Sequence, residues 1–343
     1  MPPVDVQAAG EIPIAAAIVD APGSEPRLGT VVLPPRAPGS TLVEVLAAPL
    51  NPLDLLIASG TFHSVRHESA YVPGSEFVGV VIESDRHEVG SHVYGECHAS
   101  PENPGAMATR VIVSDVDLIS LPEGVDPVSA AAIGNSGVAA YLPLVEVAGM
   151  RAGDTVLVLG ATGTVGQLAV QVAHQRDAGR VVGVGRHRAS LARLLELGAD
   201  AVIELRDGES AEELAARLVE AGAEAQVVFD AIYGLPFEAA LVACARSAHL
   251  VNVGHSAGLT VQVPAGVLRG KQLTIHGFAG LHVSLQDKAS ALAWLWTALA
   301  ENRIAVDVQT FPLSDIAGAW RGQAGSPHAK YVVLPGGSGN NEE

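Results

Sequence analysis

TVLVLGATGTVGQLAVQVA, residues 155–173, decides the fold. Its first residues form an unbroken apolar, β-branched run that reads as a strand buried on both faces, and QLAVQVA continues as a helix. Between them, Gly160 permits a tight turn, Gly163 lets the backbone approach a pyrophosphate, and Gly166 lets the helix pack close to the strand. Gly160, Ala161, Thr162, Gly163, Thr164, Val165 and Gly166 therefore form a candidate dinucleotide cradle, with the first helical N–H groups turned to the phosphates. In an ordinary strand–turn–helix unit the same glycines would only make the turn.

Strand and helix patterns alternate outward from this stretch. TVLVLG, RVVGVG, DAVIEL, AQVVFD, HLVNVG and QLTIHGF read as strands, and QLAVQVAHQR, SLARLLELG, SAEELAARLVEAG and PFEAALVACA as the helices between them. Such alternation gives a doubly wound parallel sheet with helices on both faces. Ahead of it, DPVSAAAIGNSGVAAYLPLVEVAG reads as helix. Residues 14–120 have an all-β texture, seen in IPIAAAIVD, TLVEVLAA, FVGVVIES, SHVYGE and TRVIVSDVDLISLP. After a last helix, SLQDKASALAWLWTALAENR, the segments VDVQTFP and AKYVVLP read as strands returning to the first domain. The expected architecture is α/β: a β-rich domain from 1–127 and 302–343, and a Rossmann domain from 128–301. The tail GGSGNNEE has the composition of a disordered segment.

Composition excludes several classes of function. The chain has 343 residues, 48% of them hydrophobic, enough for two cores. With 37 acidic against 20 basic residues the formal charge is -17, which disfavours nucleic acid and anionic membranes as partners. Mean hydropathy is +0.31, but the apolar runs read as broken before the roughly 20 residues a spanning helix needs. MPPVDVQAAGEIP lacks the basic start and apolar stretch of a secretory signal. Cys97 and Cys244 cannot build a disulfide framework. A reduced, cytoplasmic enzyme is expected.

The second strand of the Rossmann unit ends RVVGVGRHRAS. A site for NAD would place Asp or Glu there to bind the ribose 2′-hydroxyl, and this sequence has none. Gly185 is followed by Arg186, His187 and Arg188, and guanidinium groups at this end of the strand can grip a 2′-phosphate, which favours NADPH. A solvated basic turn without a ligand is the alternative.

The sequence resembles the medium-chain dehydrogenase/reductase superfamily, and within it the zinc-free quinone oxidoreductase and enoyl reductase branch. The likeness is carried by NPLDLLIASG (51–60), VPGSEFVGVVIE (72–83), GSHVYGE (90–96), LPEGVDPVSAAAI (121–133), GATGTVG (160–166), LGADAVIE (197–204) and AKYVVLP (329–335). It implies a GroES-like β domain made by both chain ends, a Rossmann domain between them, an active site in the cleft, and a homodimer formed through the edge strand QLTIHGF. The resemblance also places Asn51 beside the nicotinamide. It puts Val253, Gly254 and His255 of the loop after HLVNV near the nicotinamide ribose, and Phe278 near the carboxamide. Asn51, Tyr141 and His255 are the candidate catalytic residues; Asn135 and Tyr233 join the candidate cofactor contacts. Each has a plainer reading: a turn-forming Asn before Pro52, half-buried tyrosines, a solvent-facing loop histidine.

No metal is expected. Zinc-dependent relatives carry Cys at the position of Asn51 and His at that of Ser75, and a catalytic zinc needs three protein ligands. Asp54, Glu76, His63 and His67 remain nearby, the two histidines in a Pro, Ser and Gly context that reads as loop. Other departures are Leu56, Ala58, Ala139, Ser190 and Leu205 where relatives carry Tyr, Arg, Thr, Lys and Tyr, with Asn135 and Ser136 in a loop that is more apolar in relatives. The function implied is zinc-free hydride transfer from NADPH to a small-molecule quinone or α,β-unsaturated carbonyl. The alternatives are an imine or iminium reductase, another specialised biosynthetic reductase, or a non-catalytic NADPH-binding protein.

Overall fold

The computed structural model describes residues 12–62 and 67–336; His63, the first residues and the tail from 337 lie outside the described residues. The chain divides into two compact units, Met1–Gly134 with Asp307–Glu343, and Asn135–Val306. Both boundaries fall a few residues beyond the changes of texture at residues 127 and 301, and the helix that begins at Pro127 runs across the first of them.

In the first unit β1 (Ile12–Ile18) and β2 (Arg27–Leu33) make an antiparallel two-stranded sheet. β3 (Ser40–Pro49) leads through α1 (Pro52–Ala58) to β4 (Glu76–Glu83), β5 (His92–Glu96), β6 (Arg110–Ser114) and β7 (Leu118–Ser120). β2 and α1 were not anticipated. β2 is largely exposed on both faces, and α1 has only two turns, so neither carries a periodic signal.

α2 (Pro127–Leu142) crosses the boundary and contains a non-helical residue, Gly134, at φ −19° and ψ −112°. A turn of π-helix, Pro143–Val147, follows. Together they make a 21-residue segment of mean hydropathy 1.4, long and apolar enough by composition to cross a membrane. This corrects the reading that every apolar run breaks before that length: Gly134 and Pro143 disturb the segment without ending it, and its one charged residue is Glu146. The segment is 72% buried inside the protein, as a core helix is.

The second unit runs β8 (Thr155–Leu159), α3 (Thr164–Gln175), β9 (Arg180–Gly185), α4 (Arg188–Glu196), β10 (Ala201–Glu204), α5 (Ala211–Glu220), β11 (Val227–Asp230), α6 (Leu235–Ala243), β12 (His249–Asn252), α7 (Ala265–Lys271), β13 (Thr274–Gly277) and α8 (Leu285–Ala300). All its strands pair in parallel, in the order β10-β9-β8-β11-β12-β13. This is the doubly wound order, with the switch point between β8 and β11. Leu157, Val182, Val184, Leu214, Phe237 and Leu250 pack into one core, each side chain contributing roughly 1.5–3 kcal/mol by leaving water. Only α7 was missed; its two glycines and exposed faces hide it.

The chain then closes the first unit with β14 (Val308–Pro312), α9 (Ile316–Ala324) and β15 (Lys330–Leu334). The resulting sheet has the order β14-β15-β3-β4-β5-β7, with β6 paired to β3. Phe77, Met107, Leu50 and Trp320 share its core, so both chain ends build one GroES-like unit.

Candidate active site

The turn after β8 is built as the sequence indicates. Gly160 sits at φ +79°, and its N–H and that of Ala161 donate to the Val184 carbonyl at 3.0 and 2.9 Å. A Cβ on Gly166 would collide with the Gly160 carbonyl oxygen and lie 2.7 Å from Ala161 Cα, so α3 can approach β8 only because that side chain is missing. Gly163 differs. A Cβ there would meet only the Gly160 oxygen, at 3.7 Å, so nothing in the protein demands glycine, and the vacant side is left to a ligand. Gly163 is the N-cap of α3 and supplies no side-chain cap, which leaves the first-turn N–H groups of Thr164, Val165 and Gly166 for an anion. Gln167 Nε2 donates to the Thr162 carbonyl at 3.0 Å and fixes the turn from behind.

At the end of β9 the three basic residues part company. Arg188 Nε donates to both carboxylate oxygens of Glu204, at 2.8 and 2.9 Å. His187 caps α4, its Nδ1 accepting from the Ser190 N–H at 3.3 Å. Arg186 is exposed, without a side-chain hydrogen bond or ion pair to any described residue. Of the three candidate 2′-phosphate contacts, Arg186 is the one with no protein partner among the described residues.

The carboxyl ends of β11, β12 and β13 carry a second polar centre. Asp230, fully buried, accepts from the N–H groups of Ile232 and Tyr233 at 3.1 and 2.9 Å and from Asn252 Nδ2 at 2.6 Å. Asn252 Nδ2 also donates to the Gly254 carbonyl at 2.6 Å. Asp230 and Asn252, which sequence reasoning missed, thus set the shape of both Val253–Gly254–His255 and the turn at Tyr233, whose φ is +58°. The signal for Asp230 was there: an acid ending the apolar run AQVVFD. A cavity of about 490 Å³, lined by Asn252, Gly277, Phe278, Ala279, His282 and Val283, opens beside them. Asn135 Oδ1 lies near this loop, 3.0 Å from where a Gly280 Cβ would sit. His255 is exposed in its loop, and His282, not His255, lines the cavity.

In the first unit Asn51 lies at the centre of a buried network. Its N–H donates to Asp54 Oδ2 at 2.8 Å, and its Nδ2 donates to Glu76 Oε1 at 2.8 Å and Ser75 Oγ at 3.3 Å. Lys330 Nζ donates to Asn51 Oδ1 at 2.5 Å. Tyr94 donates to Glu76 Oε2 at 2.9 Å. Both amide hydrogens of Asn51 are thereby engaged, so toward a ligand it has acceptor capacity on Oδ1 alone. Burial pushes Asp54 up to about 7, against the hydrogen bonds from Asn51 and Ser75, and pushes Lys330 down.

Two domain families match the chain: the alcohol dehydrogenase GroES-like domain over residues 37–123 and the zinc-binding dehydrogenase over residues 164–297. A quinone oxidoreductase-like protein 2 homolog of Nematostella vectensis is 29% identical over 245 residues, 70% of this chain and 65% of its own length. A mitochondrial enoyl-(acyl-carrier-protein) reductase of Xenopus tropicalis is 32% identical over 182 residues, 52% of this chain and 51% of its own. The matches thus span half to just under two thirds of these relatives. The quinone oxidoreductase of Thermus thermophilus, solved also in complex with NADPH, superposes with a TM-score of 0.78 at 28% identity, over 94% of this chain and 100% of that one. The chain belongs to the medium-chain dehydrogenase/reductase superfamily.

Superfamily membership raises the question of zinc. The residues present do not fit it: the amide of Asn51 and the hydroxyl of Ser75 are poor zinc donors, and the Lys330 ammonium already lies against Asn51 Oδ1. Among the described residues no group of three or more His, Cys, Asp or Glu side chains could hold a metal ion. His67 packs its ring on Tyr71 at 4.0 Å.

Tyr141, a catalytic candidate from the sequence, sits in an aromatic and cationic cluster. It is buried against Trp294, ring centroids 5.0 Å apart, and Arg176 stacks over both rings at 5.7 and 5.9 Å. Arg176 caps the carboxyl end of α3, about 18 Å of helix from the glycine turn. Sequence spacing cannot show which end of α3 the tyrosine meets. Tyr233 also leans on a neighbour, Phe237, at 5.1 Å.

Two expectations follow. Gly166→Ala should lower stability by about 1–3 kcal/mol through overpacking, whereas Gly163→Ala should melt like the parent and lose nucleotide affinity; thermal unfolding and calorimetry separate the two, and equal destabilisation would contradict the assignment. Between its ordinary 3.8 and about 7, folded Asp54 keeps a proton that the unfolded chain has released, so its contribution to stability falls as pH rises across that window. Asp54→Asn should remove this fall, and melting curves from pH 4 to 7 that keep the parent's slope would refute it.

Proposed function

We propose that this protein is an NADPH-dependent reductase that delivers hydride to a quinone or an α,β-unsaturated carbonyl compound and uses no metal. The observation that carries the reading is the turn at Gly163, where a side chain is missing beside an uncapped helix N-terminus although no protein atom requires the space. Arg186, exposed beside that turn, supports the phosphorylated cofactor over NAD, and the quinone oxidoreductase and enoyl reductase relatives support the acceptor class. The Lys330–Asn51 contact supports the metal-free reading.

When bound, NADPH supplies the hydride. The N–H groups that open α3 would bind its pyrophosphate, and the open pocket at Asn252, Gly277 and Phe278 would receive the nicotinamide end. Hydride arriving at the β-carbon of an enone leaves negative charge on the carbonyl oxygen, which a hydrogen-bond donor must meet. His282 is the one ionisable side chain among the described residues lining this cavity and is our candidate donor, in preference to His255. We also infer a homodimer through β13, the edge strand of the parallel sheet, where Thr274 and Ile275 are exposed.

The deciding experiment is to titrate the pure protein with NADPH and NADH, then follow NADPH oxidation with phenanthrenequinone, an enone and a cyclic imine. Tighter NADPH binding with quinone or enone turnover supports the reading; imine turnover alone, or binding without turnover, moves the protein to another reductase class or to a binding role. His282→Asn should lower kcat with little change in NADPH affinity. Light scattering should give a dimer that Ile275→Lys converts to monomer, and a monomeric parent would overturn the edge-strand assembly.

A further inference from the structure

Sequence places no acid at the end of β9, but the fold supplies one from the next strand. Glu204 ends β10 as Gly185 ends β9, and the two are register partners. Partners in adjacent strands share a face: a Gly183 Cβ would lie 3.9 Å from its partner Val202, and a Gly185 Cβ 2.5 Å from Thr162 of the glycine turn. The Glu204 side chain therefore rises on the face where the turn lies, the location at which a Rossmann unit binds the adenosine ribose. Its carboxylate is held by Arg188 through both oxygens, and the neighbouring Arg188, Arg206 and Arg217 keep it below the usual carboxylate range, hence ionised. Arg217 is itself occupied by Glu209 and the Glu204 carbonyl.

We propose that Glu204 is the residue that discriminates between nucleotides, and that Arg188 acts by masking it. Building on the dinucleotide reading above, an unmasked Glu204 would accept from a ribose 2′-hydroxyl and repel a 2′-phosphate. Paired with Arg188 it does neither, and Arg186 is left to meet the phosphate. Arg188 is thus a positioning residue that acts through Glu204, not a phosphate ligand. Both side chains reach solvent, so neither substitution opens a core.

The test uses adenosine 2′,5′-bisphosphate and adenosine 5′-monophosphate as probes, titrated calorimetrically against the full chain without substrate. Arg188→Ala should weaken the bisphosphate about tenfold, as expected for an uncompensated charge beside a phosphate, and tighten the monophosphate. The double variant Arg188→Ala/Glu204→Gln should return both affinities to within about threefold of the parent, a difference of under 1 kcal/mol. A double variant as weak for the bisphosphate as Arg188→Ala would overturn the masking role and make Arg188 a direct phosphate contact. Equal effects on both probes would overturn the assignment of Glu204. If the parent binds neither probe, the dinucleotide reading itself fails, and the proposal with it.

Discussion

The close approach of α3 to β8 is the constraint on which the second unit depends. The Gly160 carbonyl occupies the place that a Gly166 side chain would take, and that contact fixes where the helix begins, which way its first N–H groups point, and how near a ligand can come at Gly163. The parallel sheet then does the rest. Its order reverses between β8 and β11, so the glycine turn, the basic end of β9 and the Asp230–Asn252 pair all arrive at the carboxyl edge, where such sheets bind ligands.

The first unit is organised around charge instead of close backbone packing. Lys330 and Asn51 meet across 279 residues of sequence, and the bond ties the last strand of the chain to the start of α1. Two buried carboxyl groups, one buried ammonium and an amide that bridges them leave few polar atoms unmatched, a condition that a low-dielectric interior enforces. The same arrangement fills with protein hydrogen bonds a place where zinc-dependent members of the superfamily carry cysteine and histidine.

Much of this was legible in the sequence. Strands buried on both faces, such as TVLVL and RVVGVG, read as continuous apolar runs, and every strand of the parallel sheet was found within a residue or two of its ends. The glycine turn was legible because each of its residues answers to a local rule. What escaped were features that depend on partners. α9 (Ile316–Ala324) carries two glycines and a single buried stripe, and only its packing, with Gly322 against Tyr331 and its own Trp320 turned into the core, reveals it. The pairing of Glu204 with Arg188 depends on strand register, and the surroundings of Tyr141 depend on which end of a helix it meets. Arg186–Arg188 looked like one cluster in sequence; in the fold Arg188 pairs with Glu204, His187 caps α4 and Arg186 stays exposed.

The central claim is that the backbone from Gly163 to Gly166 is a phosphate-binding surface. Amide NMR on nitrogen-15-labelled protein, with NADPH added stepwise, tests it most directly. The account predicts saturable shifts at Gly163, Thr164, Val165 and Gly166 that Gly163→Ala abolishes while the rest of the spectrum stays folded. Shifts confined to other strands' ends, with these four amides unmoved at saturating NADPH, would contradict it.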